Sequence, residues 1–180
     1  MAPTAKCARR PSRARGWALA LALACAGAAA QGNERTLEVS PGKLLHYRLV
    51  EGPTGSARPT AEKLLRHLAE GDIESAAVLS NAPKRRFEEL AKYRATVGEE
   101  EFKRIYSRYF APANRLVAEV AVGAHRLLIW ELGEARRQLA GQYYVEIDGR
   151  FLMDDVPGES RAQLQRVLQA YRAGKIRFSD

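Results

Sequence analysis

Cysteine is almost absent from this chain. The 180 residues include only Cys7 and Cys25, both within the first 30 positions. A chain that loses this segment has no disulfide, thiol nucleophile or cysteine metal ligand. The three histidines, His46, His67 and His125, are scattered without metal-ligand spacing. The composition therefore predicts a domain with no metal site and no cofactor.

Long hydrophobic runs are also missing, since a membrane-spanning helix needs roughly 20 apolar residues. The longest apolar stretch, Trp17 to Ala30, has 14 residues and follows five basic residues with no acidic one among them. Such a basic start, a short apolar run and the small residues Ala28 to Ala30 are typical of a secretory signal peptide. We predict that residues 1–30 are this signal peptide, cleaved before Gln31, and that the protein is exported to the periplasm.

Cys25 leaves a second route open. The stretch "LALAC" at 21–25 resembles the bacterial lipobox, although Ala22 stands where a leucine is usual. Lipidation of Cys25 would make the protein a membrane-anchored lipoprotein. We favour the soluble exported form, because apolar runs of small residues often contain an incidental cysteine.

A strong charge of one sign is missing once the signal is set aside. The whole chain has a net charge of +8, but residues 31–180 carry 24 basic and 21 acidic side chains, a net +3. No basic cluster is interleaved with aromatic residues, and no phosphate-binding loop is present. We therefore predict no nucleic-acid partner.

Residues 31–59 have the pattern of an N-terminal arm. Two short strands are predicted within 34–50, around the turn Ser40 to Lys43. The following segment "EGPTGSARP" is rich in Gly, Pro and Ser, which indicates a linker and hinge before the main body.

Residues 60–180 read as one α+β domain. Helices are predicted from Thr60 to Gly71, over 73–80 and over 83–110 with a break near Gly98. Alternating strands follow, and Asp148-Gly149 is a strong hairpin signal. A last helix carries apolar residues at 164, 167, 168 and 171, with Ser160 and Gln163 as a predicted capping box. Helices before an antiparallel meander predict helices packed on one sheet face.

The stretch "AEKLLRHLAEGDIESAAVLS" at 61–80 and the strands up to "YYVEIDGRFLMDDV" at 143–156 resemble the nuclear transport factor two-like, or SnoaL-like, superfamily. The resemblance covers about residues 60–157 and contains no invariant motif. It implies a cone-like domain, with a curved sheet and helices around a pocket, and often a dimer. The pocket or core lining that we predict is formed by Tyr106, Tyr109, Trp130, Val145 and Leu152.

The paired acids Asp154 and Asp155 raise the question of catalysis. Neighbouring strand residues point to opposite faces, so the two carboxylates are not predicted to act together. A turn at 148–149 places Tyr143 opposite Asp154. An acid and a phenol beside an apolar pocket could transfer protons, as in the ketosteroid isomerases that the fold resembles. The simpler interpretation, which we prefer, is a hydrogen bond between the Tyr143 hydroxyl and Asp154.

Two surface features remain. Tyr144, Phe151 and Met153 are predicted on the outer sheet face, where an apolar patch would form a homodimer unless the arm or last helix covers it. "PKRR" at 83–86 places three cations at a helix start, where an anion, or the i,i+4 partners Glu88 and Glu89, would relieve repulsion.

The sequence thus favours an exported bacterial envelope protein that binds a small apolar ligand or a protein partner without catalysis. The alternative is a small isomerase- or dehydratase-like enzyme that uses Asp154 and Tyr143.

Overall fold

Five helices and six strands make up the part of the chain described by the structure, a computed structural model covering residues 34–133 and 138–178. The chain divides into two units, Met1–Ala30 and Gln31–Asp180, and every described residue belongs to the second. The predicted signal peptide and Cys25 lie outside the described residues. In chain order the elements are β1 (Glu34–Ser40), β2 (Lys43–Leu49), α1 (Arg58–Glu70), α2 (Ile73–Ala77), α3 (Pro83–Val97), α4 (Glu99–Ser107), a 3-10 turn (Arg108–Phe110), β3 (Arg115–Val122), β4 (His125–Leu132), β5 (Gln138–Ile147), β6 (Arg150–Met153) and α5 (Glu159–Arg172).

The strands form a single open sheet in which each strand pairs antiparallel with the next, in the order β1 to β6. Tight turns at local sequence signals account for this meander. Asp148 and Gly149 have φ values of +50° and +73°, which a two-residue hairpin turn of this kind requires. The pairs Ile147–Arg150 and Val145–Leu152 confirm the predicted register. The predicted α+β class is therefore confirmed.

The N-terminal strands belong to this same sheet. Leu49 pairs with Val120, and the Val50 N–H donates to the Glu119 carbonyl at 2.9 Å. The connection from β2 to α1 is fastened by buried charged groups. Arg126 Nε donates to the Gly55 carbonyl at 3.1 Å, and a Glu119 carboxylate oxygen accepts from the Ala57 N–H at 2.7 Å. In the predicted linker at 51–59, Gly and Pro mark irregular backbone, and buried side chains contact it at Gly55 and Ala57.

The helix boundaries follow local signals with one exception. Gly71, at φ +82°, ends α1, and the Asp72 carboxylate caps α2 by accepting from the Ser75 N–H at 3.0 Å. Gly98, at φ +86°, separates α3 from α4. The capping box at Ser160 is wrong, because α5 begins earlier, after Gly158, and has no side-chain cap.

Both faces of the sheet are covered. On one face Leu128, Trp130 and Tyr144 pack against Ala57 and Ala61 at the start of α1. On the other face a cluster joins β1 to β4 with α5, and its buried members are Leu37, Leu45, Tyr47, Leu49, Val120, Leu127, Ile129, Leu164, Val167, Leu168, Ala170 and Phe178. We call these the helix-layer face and the α5 face. The sequence predicted helices on one face of the sheet only, whereas the structure has α1 on one face and α5 on the other.

The predicted dimer face is wrong for this reason. Tyr144 is 0% exposed, and Phe151 and Met153 pack against its cluster on the helix-layer face. The arm and α5 do not cover these residues either, since α1 and its neighbours do. The patch is apolar because it is an intramolecular packing surface.

Candidate functional site

Asp155 ties the sheet end to the start of α3. Its carboxylate is nearly buried and accepts from Ser80 Oγ at 2.6 Å and from Arg86 Nε at 2.8 Å, and Arg86 Nη2 donates to its second oxygen. Ser80 Oγ also accepts from the Ala82 N–H at 2.9 Å. Charge-assisted, two-point contacts of this kind are the strong ones. Asp155 is therefore the anion that relieves repulsion at "PKRR", while Arg85 pairs with Glu89 at 2.8 Å as predicted.

Asp154 has different partners, all within the chain. Its carboxylate accepts from Asn81 Nδ2 at 2.9 Å and lies 3.0 Å from His125 Nδ1. Asn81 also accepts from the Asp155 N–H at 2.9 Å, so one amide fixes both acidic residues. The two carboxylates thus engage separate partners rather than each other, although both acids lie beyond the end of β6 at Met153 and not within the strand.

Tyr143 lies on the α5 face, where the Arg161 guanidinium stands 5.1 Å from its ring centroid. Burial raises the pKa of Tyr143, and the nearby cations Arg161 and Arg172 partly offset that rise. Its backbone carbonyl accepts from the Asp154 N–H at 2.8 Å. Among the described residues the Asp154 carboxylate bonds to Asn81 and His125, and the expected bond from the Tyr143 hydroxyl is not formed.

A small cavity lies between the helix layer and the end of the sheet. Its volume is about 90 Å³, and we call it the inner cavity. Helices α1 to α4 supply most of the wall, and β5 and β6 close it. The lining residues are Leu64, Leu65, Leu68, Ala76, Arg86, Leu90, Tyr106, Gln142 and Met153.

Besides the hydroxyl of Tyr106, two polar side chains interrupt this apolar wall. Arg86 enters from α3, and Gln142 stands on the helix-layer face of β5. The Gln142 carbonyl oxygen accepts from Trp130 Nε1 at 3.0 Å, which fixes the amide so that its NH2 group is the remaining donor. Arg86 uses Nε and Nη2 on Asp155 and Met153, and no bond from Nη1 is formed within the described chain.

The Tyr144 hydroxyl is a buried polar group without a hydrogen-bond partner in the described chain. Burial raises the pKa of Tyr144 far above its usual value, and Arg86, Asp155 and Tyr109 are close enough to influence it. Its strand neighbours on the same face, Gln142 and Met153, line the inner cavity. A buried hydroxyl without a partner is unusual and needs an explanation.

The predicted lining residues are divided by the structure. Tyr106 lines the inner cavity, while Tyr109, stacked on Tyr106 with ring centroids 6.5 Å apart, lines a separate groove. Trp130 reaches the cavity wall only through Gln142. Val145 and Leu152 are paired on the opposite, α5 face, where Val145 is buried in the core as predicted, and neither lines the inner cavity.

Sequence reasoning missed most of the polar residues at these two places. Ser80, Asn81 and Arg86 lie about 70 residues from the acids they bind. No spacing rule links such positions. The run of cations at 83–86 was the one signal that indicated a polar contact here, because it predicted a nearby anion.

Residues 34–133 and 138–178 contain neither a cluster of metal-ligating side chains nor a membrane-spanning helix. No group of three His, Cys, Asp or Glu side chains there could hold a metal ion. No described helix has the length and apolar character needed to cross a bilayer. No protein-family model, curated protein or solved structure matches this chain.

Proposed function

We propose that this chain is an exported bacterial envelope protein whose domain binds a small, mainly apolar ligand without catalysis. The inner cavity carries the proposal, because it combines an apolar wall with a few converging polar groups. Ligand sites have this composition, although those for drug-sized molecules are several times larger than about 90 Å³. The ligand is accordingly small, or presents only a small group to the cavity.

The domain is proposed to be a variant of the nuclear transport factor two-like cone. Helices α1 to α4 precede the main strands, and the cavity lies between these helices and the sheet. The strands β1 and β2 and the helix α5 are additions to that pattern. Helix α5 covers the sheet face that the simple pattern leaves open.

A non-catalytic role is supported by the positions of the acid and the phenol. Neither Asp154 nor Tyr143 lines the inner cavity, and Tyr143 lies on the other sheet face. Asp154 bonds to Asn81 and His125, which makes it a structural contact between loop and sheet. A proton-transfer enzyme would need one of these groups beside the bound substrate.

Native mass spectrometry of protein purified from the cell envelope tests the proposal. We expect a mature chain starting at Gln31, with a small molecule retained or exchangeable. A chain starting at a diacylated Cys25 would place the same domain on the membrane. An intact Met1 would refute export, and a chain that binds no small molecule in the inner cavity would refute the ligand function.

A further inference from the structure

The nitrogen groups left without partners at the inner cavity are hydrogen-bond donors. Gln142 has its carbonyl oxygen occupied by Trp130 and its NH2 group free of any bond within the described chain. Arg86 has donor capacity left at Nη1. The Tyr106 hydroxyl, also in the wall, can both donate and accept.

The charge at the cavity is already balanced. The Arg86 guanidinium forms a two-point ion pair with the nearly buried Asp155 carboxylate. A ligand anion would therefore meet no free counter-charge and would lie near Asp155, and burying an unpaired charge is costly. A ligand cation would lie beside the Arg86 guanidinium, whose charge would repel it.

We propose that the ligand of the inner cavity is a small uncharged molecule that accepts hydrogen bonds. This inference rests on the proposed function. The acceptor atom of the ligand contacts the Gln142 amide, with Arg86 Nη1 as the neighbouring donor, and its apolar part contacts Leu64, Leu68 and Leu90.

The volume limits the size of the ligand. An apolar cavity of about 150 Å³ holds one benzene, which has six heavy atoms. The inner cavity, at about 90 Å³, therefore has room for about four. A ligand of that size binds weakly, with a dissociation constant on the order of 1 mM.

Four probes of the same size and shape separate the chemical classes. Acetone is an uncharged acceptor, 2-methylpropene has no polar atom, acetate is an anion and isopropylammonium is a cation. Saturation-transfer NMR on their methyl signals, with the full chain, measures all four. We expect binding of acetone and no measurable binding of either ion.

The matched variants are Gln142→Met and Gln138→Met, the same substitution on the same face of β5. Gln142 lines the inner cavity, and Gln138 lies outside it. We expect Gln142→Met to weaken acetone at least tenfold and to change 2-methylpropene less than threefold. Gln138→Met should change neither. If Gln142→Met does not fold, Gln142→Glu, which keeps an oxygen for Trp130 Nε1 and removes the NH2 donor, replaces it with the same expected direction, and Gln138→Glu becomes the control.

The outcomes distinguish the two proposals. Binding of no probe would refute the ligand function itself, and with it this inference. Tighter binding of either ion, or acetone affinity unchanged by Gln142→Met, would overturn the uncharged-acceptor inference alone. The ligand function would then stand for a molecule of different chemistry.

Discussion

Replacing Tyr144 by phenylalanine is expected to stabilise the protein in the absence of ligand. The Tyr144 side chain is 0% exposed, and its hydroxyl has no partner among the described residues. A buried hydroxyl without a hydrogen bond costs roughly 1–3 kcal/mol relative to water. The substitution removes that cost and leaves the ring contacts with Leu128 and Trp130 in place.

The expected gain is smaller than the full cost of desolvation, because loss of the oxygen leaves a small void. We expect an increase of about 1 kcal/mol in the free energy of unfolding, which corresponds to about 2–4 °C in melting temperature for a domain of this size. Urea unfolding followed by circular dichroism measures the change. Tyr106→Phe is the control, since that side chain is only half-buried and its hydroxyl is not one of the buried unpaired groups.

A loss of stability in Tyr144→Phe would refute this reasoning, because it would mean that the hydroxyl makes a bond in solution. Most core substitutions destabilise, so a gain at a fully buried position is a demanding test.

Four further changes have defined outcomes. Glu119→Ala should cost about 2–4 kcal/mol in urea unfolding, because the N–H of Ala57 and the hydroxyl of Ser56 lose their acceptor; a cost below about 0.5 kcal/mol would contradict this. Gly141→Ala should cost about 1–3 kcal/mol, because a Cβ would lie 2.6 Å from Leu168 Cδ2; Gly158→Ala, where nothing lies within 4 Å, should cost less, and equal costs would refute the clash. Unfolding free energy measured between pH 8 and 11 should be flat to about pH 9 and fall from about pH 10. Burial raises the native pKa of several tyrosines, namely Tyr47, Tyr106, Tyr109, Tyr143 and Tyr144. Above pH 10 the folded chain therefore binds more protons than the unfolded one, and its stability falls. A flat profile to pH 11 would contradict the burial of these tyrosines. Asp155→Asn should destabilise the domain more than Asp154→Asn.

The order of elements could be predicted because each depends on residues close in sequence. Asp148-Gly149 requires a tight turn, Gly71 and Gly98 end helices, and Asp72 caps α2. These signals act within a few residues. They predicted the strands and helices to within a few positions. The structure confirms the register that they predicted for the β5–β6 hairpin.

The side of the sheet taken by each residue could not be predicted. In β4 the residues from Arg126 to Glu131 are all buried, so alternation along the strand carries no preference for a face. The apolar middle of the set with Val145 and Leu152 suggested the pocket side, but α5 covers that face and α1 to α4 cover the other. Only the path of the chain through Ala57 into α1, fixed by Glu119, decides which face meets the helix layer.

The two neighbouring acids show why long-range contacts decide a site. Asp155 holds the Arg86 guanidinium, which is 22% exposed, so its replacement by Asn leaves a partly buried cation uncompensated. Breaking such a pair costs about 3–5 kcal/mol when the site is buried. Asp154→Asn keeps an oxygen for Asn81 Nδ2 and places an amide beside His125 Nδ1, so we expect a loss of about 1 kcal/mol or less.

The double variant tests whether the two acids act as a unit. Because their carboxylates have separate partners, we expect the two costs in urea unfolding to couple only weakly, by about 0.5–1 kcal/mol through their common neighbour Asn81. Asn81→Ala is the positive control for coupling, since this one amide contacts both acidic residues. Equal costs for the two single variants, or strong non-additivity in the double, would mean that Asp154 and Asp155 form one interacting pair, contrary to their separate hydrogen-bond partners.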